Sequence, residues 1–278
     1  MERVWLLCTV IVPLHLIALA LYGLATALAL APFIGLRPAA PRALAIAFPC
    51  AGAAAHVVAV SQLTLFGLGP ALSMLALCLV LLQLASERLL RGSAVSFFAA
   101  PLATGLVGLA ILSGLTPGAE AATSRNAWFV MHVVLSVLGV ALMALAFIAA
   151  ALYLLQFREL KARRFGQIFQ LFPPLERLDQ LNRFALVAGF PALTLGVLLA
   201  LGYGARFAGE GGGGLQAAKA QLVWGLFTWI VLGWAVWVRV VRHWAGRRAA
   251  LASIAGFSAV LLVYVALKLV EPGVGRFL

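Results

Sequence analysis

The chain has 278 residues, of which 64% are hydrophobic and 10% are charged, and its mean hydropathy is +1.09. A soluble domain is closer to half apolar and about a quarter charged, so this composition excludes a soluble fold and predicts an all-α, polytopic membrane helix bundle. The net charge of +12 does not indicate nucleic-acid binding, because the basic residues cluster between apolar segments, where they report membrane topology.

Apolar segments of about 20 residues, the length that crosses a bilayer, predict eight transmembrane helices within a single domain, residues 1–278. They are Val4–Ile34, Ala43–Phe66, Pro70–Leu90, Val95–Leu115, Ala127–Gln156, Phe184–Tyr203, Ala220–Val240 and Ala250–Val270. Only Gly67-Leu68-Gly69-Pro70 separates the second from the third, which predicts a tight turn in a helical hairpin.

The distribution of basic residues predicts the orientation of the chain. Most of them follow the first, third, fifth and seventh predicted helices. The positive-inside rule therefore places these segments in the cytoplasm and both termini on the extracytoplasmic side. The N-terminus lacks the basic region and cleavage site of a removable signal peptide, so we interpret it as a retained span.

The longest predicted cytoplasmic segment, Phe157–Arg183, is a basic elbow. We expect the fifth helix to continue into it, Pro173-Pro174 to break the helix, and a new helix to begin there with acidic residues in its first turns. The basic elbow is either a solvated segment that touches anionic lipid or a docking surface for a cytoplasmic partner.

The sequence contains no convincing catalytic set, so we do not expect an enzyme. Its eight acidic residues lie in predicted loops or at helix ends, which argues against a proton-driven pump or exporter. It has no Walker motif, and the run of glycines between residues 211 and 214 is more typical of a flexible link than of a phosphate site. The three cysteines form no CxxC or CxxCH motif, so neither a zinc site nor covalent haem attachment is indicated.

Three of the four histidines, His15, His56 and His132, lie inside predicted spans at comparable depth. Ionisable residues in hydrocarbon are costly and tend to mark function. A single buried histidine is most simply a neutral imidazole hydrogen-bonded across helices. Three without a nearby carboxylate favour axial ligation of haem iron. His243 lies in a basic loop and is interpreted as solvated.

Small residues accompany these histidines. On a helix, His132 shares one face with Ser136, Gly139, Met143, Ala146 and Ala150, and Ala51-Gly52-Ala53-Ala54-Ala55 precedes His56. Such faces suit the walls of a porphyrin slot, or equally the close packing of helices in lipid. Met143 lies about 16 Å along the helix from His132, too far to ligate the same iron, and is interpreted as a gap-filler.

Basic and aromatic residues near the predicted outer surface extend this candidate site. Arg125, Arg206 and Lys219 either bind haem propionates or flank helix ends. Trp234, Trp237 and Trp244 are typical of an interfacial belt, whereas Trp224 and Trp229 begin near the outer surface and are better placed to approach a ligand there.

Several short segments resemble the CcsA family of cytochrome c assembly proteins. They are Met131-His132-Val133-Val134-Leu135-Ser136, Trp224-Gly225-Leu226-Phe227-Thr228-Trp229, Arg239, Gly246-Arg247-Arg248-Ala249-Ala250 and Gly256-Phe257. The elbow Phe172-Pro173-Pro174-Leu175-Glu176 and the ending Tyr264–Val270 look more like the HemX/YpjD branch of that superfamily.

The resemblance implies an eight-helix protein of the bacterial cytoplasmic (inner) membrane that binds or moves haem b. His132 resembles the first external histidine of the family. The sequence departs from the family pattern in three places: no tryptophan-rich WxWDPKE precedes Lys219, no histidine follows the last span, and Trp237 stands where the pattern has a membrane histidine. These gaps count against haem ligation to cytochromes and favour haem binding or transport.

We therefore predict a haem-handling protein of cytochrome c assembly or haem trafficking, with other maturation proteins as partners. Its predicted site has His132 as one axial ligand, His56 or His15 as the second, and four further contacts: Ser136, Arg125, Lys219 and Trp224. The alternative is a HemX-like scaffold that regulates a haem-biosynthesis enzyme or a cytochrome complex through the basic elbow.

Overall fold

The computed structural model describes residue 5 and residues 7–35, 41–65, 67–90, 94–118, 127–163, 171–207 and 214–270. Within these ranges there are eight α-helices, and each contains a segment long and apolar enough to cross a membrane. They are α1 (Val12–Leu30), α2 (Arg42–Ser61), α3 (Leu68–Leu90), α4 (Ser96–Ser113), α5 (Ala127–Lys161), α6 (Leu175–Phe207), α7 (Gly214–Val240) and α8 (Gly246–Val270). The prediction of an all-α, eight-span membrane protein is confirmed. The orientation of its termini and the single domain stay predictions.

The basic elbow has the local structure that its prolines predict. Helix α5 continues past Gln156 to Lys161, and α6 begins at Leu175. The carbonyl of Pro174 accepts hydrogen bonds from the backbone N–H groups of Arg177 and Leu178, at 2.9 and 3.3 Å. Helix α6 thus starts immediately after Pro174, where the sequence predicts a new helix, and runs on through the predicted span Phe184–Tyr203.

The predicted tight turn at residues 67–70 is wrong in its position. Gly69 and Pro70 belong to the first turn of α3, where a proline lacks only an N–H group that would have no helical partner. The connection instead follows the end of α2 at Ser61, and its residues 62–64 run beside residues 116–118. Thr64 N donates to Thr116 O at 3.0 Å, and Gly118 N donates to Gln62 O at 2.8 Å.

The helices pack in two groups that share one core. Helices α1 to α4 pack on one another, α5 to α8 form the second group, and the contact of α3 with α5 joins the two. Helices α5 and α6 form the most extensive helix–helix contact, and α5 contributes Leu145, Ile148 and Leu152 to the core. Large apolar side chains such as Leu112, Leu198 and Leu262 are exposed, as expected where helices face lipid.

A short π-helical turn, Leu7–Ile11, precedes α1. The buried residues of α1 are His15, Ala18, Tyr22 and Ala25, which recur at intervals of three and four and therefore form one face. This face places one of the three intramembrane histidines against α2 and α3.

Candidate functional site

Two of the three intramembrane histidines meet in the first helix group. His15 and His56 have no exposed surface, and their ring centroids lie 5.2 Å apart with the rings at 74°. Ser73 of α3, also fully buried, lies between them, with its Oγ 2.9 Å from the Nε2 atom of each imidazole. Tyr22 Oη lies 3.3 Å from His56 Nδ1, and His15 Nδ1 lies 2.8 Å from Ile11 O.

The backbone carbonyl of Ile11 ends this series of hydrogen bonds, and it fixes the direction of each of them. Ile11 O can only accept, so His15 Nδ1 carries a proton and His15 Nε2 carries a lone pair. Ser73 therefore donates to His15 Nε2 and accepts from His56 Nε2–H. His56 Nδ1 is left as the acceptor for the Tyr22 hydroxyl. All four imidazole nitrogens are thus occupied.

The small residues beside His56 serve helix packing. A Cβ placed on Gly52 would lie 2.6 Å from the Tyr22 ring, so glycine at this position lets α2 approach α1 closely. Two imidazoles that share one serine hydroxyl leave no room between them for a porphyrin. This geometry does not support His15 or His56 as an axial haem ligand.

The third histidine, His132, lies in the second group. Its Nδ1 is 2.8 Å from Gly196 O of α6 and 3.4 Å from Ser136 Oγ. The carbonyl only accepts, so Nδ1 carries the proton and Nε2 carries the lone pair. The side chain is half-buried, and its Nε2 makes no hydrogen bond with any residue that the structure describes. Neither a ring contact nor a shared hydrogen bond connects it to His15 or His56 within the described ranges.

Helix α6 fills the face of small residues below His132. A Cβ on Gly139 would lie 2.8 Å from Leu193 N, and a Cβ on Gly196 would lie 2.5 Å from Ser136 Oγ. Met143 is buried, and its Cε approaches Gly189. Of the two alternatives for this face, a porphyrin wall or close packing of helices, the structure has the second, because its small residues allow α5 and α6 to pack closely. Met143 fills the contact, as predicted.

The structure describes the remaining predicted site residues only in part. Arg125 lies outside the described residues. Lys219 belongs to α7, but its side chain is not among those described. Ser136 is beside His132, whereas Trp224 packs against the main hydrophobic core. Their predicted roles as haem contacts stay predictions.

The other tryptophans lie in two kinds of surroundings, and an approach of Trp229 to an outer ligand stays a prediction. Trp229 Nε1 donates to Thr194 Oγ1 at 2.9 Å and its ring stacks on Phe190, so this tryptophan ties α7 to α6. Trp234 and Trp237 are about half exposed on α7, in agreement with an interfacial belt. Arg242 lies over the Trp237 ring, 5.9 Å from its centroid.

A bidentate ion pair joins three elements at the predicted cytoplasmic end of the second group. Arg239 of α7 donates to both carboxylate oxygens of Asp179 of α6, at 2.8 and 2.6 Å. Its guanidinium also donates to Trp244 O at 3.1 Å, and Gly246 N donates to Asp179 Oδ1 at 3.0 Å. Only 4% of the Arg239 side chain is exposed. The start of α8 is thus tied to α6 and α7.

Gly246 meets a strict backbone requirement in this loop. Its φ is +60°, and a Cβ there would lie 2.8 Å from Tyr153 Oη of α5. A larger residue would be strained by the backbone and would clash with Tyr153.

Sequence analysis missed Ser73, Asp179 and Glu87. Ser73 is a polar residue early in a span, and polar residues inside spans commonly hydrogen-bond to polar groups on neighbouring helices. Asp179 was placed near a helix end but was not paired with Arg239. Glu87 does end a helix, yet it is only 5% exposed and accepts a hydrogen bond from Ser96 N at 2.9 Å.

Comparison of the sequence with known protein families identifies the family of this chain. The sequence profile of the family described as "Cytochrome C assembly protein" matches residues 66–274, well over half of the chain. The chain belongs to the cytochrome c assembly protein family. Helices α3 to α8 and both the His132 and Arg239 clusters lie within the matched residues.

Relatives with the name "Cytochrome c biogenesis protein CcsA" share part of the chain. The protein from Guillardia theta is 27% identical over 168 residues, 55% of this chain and 54% of its own length. That from Chlamydomonas reinhardtii is 26% identical over 153 residues, 55% of this chain and 41% of its own length. That from Trichormus variabilis is 31% identical over 102 residues, 37% of this chain and 28% of its own length. The chain thus spans about half, or less, of the length of these relatives.

Haem, the group that the sequence resemblance implies, sets two requirements for a histidine that would ligate its iron. An axial histidine needs a free lone pair, and a hydrogen bond from its other nitrogen commonly fixes its tautomer. His132 meets both requirements, since Gly196 O accepts from Nδ1–H and leaves Nε2 unprotonated. His15 and His56 do not, because hydrogen bonds engage both nitrogens of each ring. Among the three intramembrane histidines, only His132 has a ring nitrogen that no described residue engages.

Proposed function

We propose that this multi-pass membrane protein of cytochrome c biogenesis handles haem, with His132 as its axial ligand. The cytochrome c assembly family and the CcsA relatives support haem as the cargo. The observation that carries the proposal is the hydrogen bond from His132 Nδ1 to Gly196 O, which leaves Nε2 as a lone-pair donor.

The residues around His132 position its ring. The backbone of α6 holds the imidazole tautomer through Gly196 O, and Ser136 lies one turn along on the same face of α5. One turn in the other direction, Trp128 Nε1 donates to Leu199 O at 2.9 Å, which fixes the same pair of helices near its predicted outer end. The imidazole is thus held before any ligand arrives, which lowers the entropic cost of binding.

Only one intramembrane histidine of this chain is available to the haem iron in this arrangement. A pairing of His132 with His15 or His56 would require the Ser73 hydrogen bonds to break. We propose instead that His132 is the one ligand from these three, which leaves the opposite axial position for a group outside this set. Propionate contacts by Arg125 or Lys219, a role for Trp224, and haem b as the form bound remain parts of the proposal.

Replacing His132 with alanine should abolish most haem binding. The full chain is purified in detergent after haem supplementation, and its Soret absorbance is normalised to protein. We expect His132→Ala to retain about a tenth or less of the wild-type haem, because loss of an axial ligand removes the iron bond. The matched variants His15→Ala and His56→Ala should retain haem wherever they remain folded in detergent.

Two results would contradict this proposal. The first is the lack of a Soret band in the supplemented wild-type protein. The second is wild-type haem content in His132→Ala. A loss of haem in folded His56→Ala, with His132→Ala unaffected, would move the ligand to the first helix group.

The comparisons give no support to the alternative of a HemX-like scaffold, since the relatives described above are cytochrome c biogenesis proteins. Other maturation proteins are the partners that we propose, and the bacterial cytoplasmic membrane is the proposed location. The exposed Arg158, Lys161 and Arg163 on the basic elbow are available to a partner or to anionic lipid.

A further inference from the structure

The hydrogen-bonded chain in the first helix group lies outside the haem site proposed above, and it places four ionisable or hydroxyl side chains in a row within the membrane. Tyr22 donates to His56, His56 to Ser73, Ser73 to His15, and His15 to the carbonyl of Ile11. Every donor has one acceptor, and every partner is a neutral group. A chain of this kind can pass a proton from end to end without a charged side chain.

We propose that the Tyr22–His56–Ser73–His15 chain is a proton relay along the buried face of α1. This inference is independent of haem binding at His132, because the two sets of residues lie in different helix groups and share no contact within the described residues.

Polar groups and a cavity continue the same face beyond Tyr22. Thr26 Oγ1 donates to Tyr22 O at 2.9 Å and lies 3.1 Å from Thr104 Oγ1. The next residues, Ala25, Ala29 and Pro32, line a cavity of about 40 Å³ that also has Ser96 in its wall. This volume accommodates at least one water molecule.

The relay and the cavity together have the length of a membrane crossing. From Ile11 to Pro32 the chain advances by 21 residues, or about 31 Å at 1.5 Å per residue, and the hydrocarbon core is about 30 Å thick. The π-helical turn Leu7–Ile11 lies at the other end of the relay. Hydrogen-bonding groups therefore occur along α1 over most of the bilayer.

The transfer of one proton along the relay balances at each residue. A proton enters at Tyr22 Oη as the tyrosine proton moves to His56 Nδ1. The His56 Nε2 proton moves to Ser73 Oγ, and the serine proton moves to His15 Nε2. The His15 Nδ1 proton leaves at the Ile11 end of the relay once the ring turns away from Ile11 O. One proton enters, one leaves, and every residue ends neutral. Reorientation of the hydroxyls and imidazole rings restores the starting arrangement.

Proton flux into liposomes tests the relay. The full chain is reconstituted with an internal pH-sensitive dye, and a potassium gradient with valinomycin drives protons inward. We expect flux above that of protein-free liposomes. Ser73→Ala and Tyr22→Phe should each lower the excess flux about tenfold or more, because each removes one hydroxyl from the relay. Ser73→Thr keeps the hydroxyl and should retain the flux.

The matched control is Ser86→Ala. Ser86 is also buried on α3, but it donates only to Gln83 O of its own helix. Its loss should leave the flux unchanged, while reconstitution and thermal stability of each variant are checked in parallel. Wild-type flux equal to that of empty liposomes would overturn the relay. So would wild-type flux in folded Ser73→Ala and Tyr22→Phe, which would leave these residues a purely structural role.

Discussion

Asp179→Ala is expected to lower the free energy of unfolding by about 3–5 kcal/mol, the cost of leaving a buried charge without its partner. Arg239 is almost fully buried and depends on both oxygens of Asp179. The substitution also removes the acceptor for Gly246 N at the start of α8. Thermal unfolding in detergent, followed by loss of monodisperse protein, should show a clearly lower midpoint.

Two further variants distinguish the loss of the Asp179–Arg239 ion pair from a general destabilisation of the fold. Glu176 is an exposed acid on the same helix, so Glu176→Ala should change stability by no more than about 0.5 kcal/mol. The double variant Asp179→Ala with Arg239→Leu should be less destabilised than the sum of the two single variants, because it leaves no uncompensated charge. Additive effects, or an equal loss in Glu176→Ala, would contradict the importance of this pair.

Gly139→Ala is expected to destabilise the contact of α5 with α6 by about 1–3 kcal/mol, the usual cost of overpacking. The new Cβ would lie 2.8 Å from Leu193 N and 3.0 Å from Leu193 Cα, and neither backbone atom can move without shifting α6. Because Gly196 of the same helix holds the His132 ring, we also expect reduced haem content. Thermal midpoint and Soret absorbance measure the two effects.

The matched control, Gly105→Ala, should change stability in the opposite direction. Gly105 lies inside α4 with nothing within 4 Å of a Cβ placed on it. Gly105→Ala should raise stability by about 0.5–1 kcal/mol, because alanine loses less conformational freedom in a helix. If Gly139→Ala and Gly105→Ala shift the thermal midpoint in the same direction, close packing against α6 is not the reason for glycine at position 139.

Local sequence predicted the features that depend on composition and on short stretches of chain. Eight apolar segments predicted eight helices because the bilayer fixes both their length and their hydrogen bonding. Pro173-Pro174 predicted the break between α5 and α6, since proline cannot continue a helix. The turn after α2 was misplaced, because Gly69 and Pro70 also suit the first turn of a helix. The segments that resemble the CcsA family predicted the same family that the sequence profile matches.

The roles of the histidines depended on packing partners distant in sequence. His132, Ser136 and Gly139 share a face in any helix, but the sequence does not specify whether that face meets a flat ligand or another helix. The structure places α6 there.

The sequence by itself determined that this protein is an eight-helix membrane protein with imidazoles inside its spans, because hydropathy and helical periodicity are properties of local sequence. Only the tertiary structure decided which imidazole nitrogens form hydrogen bonds and that Nε2 of His132 forms none with a described residue. That depends on Ser73 and Gly196, whose hydrogen-bonding groups reach the rings only after separate helices pack, whereas Ile11 O lies in the turn just before His15.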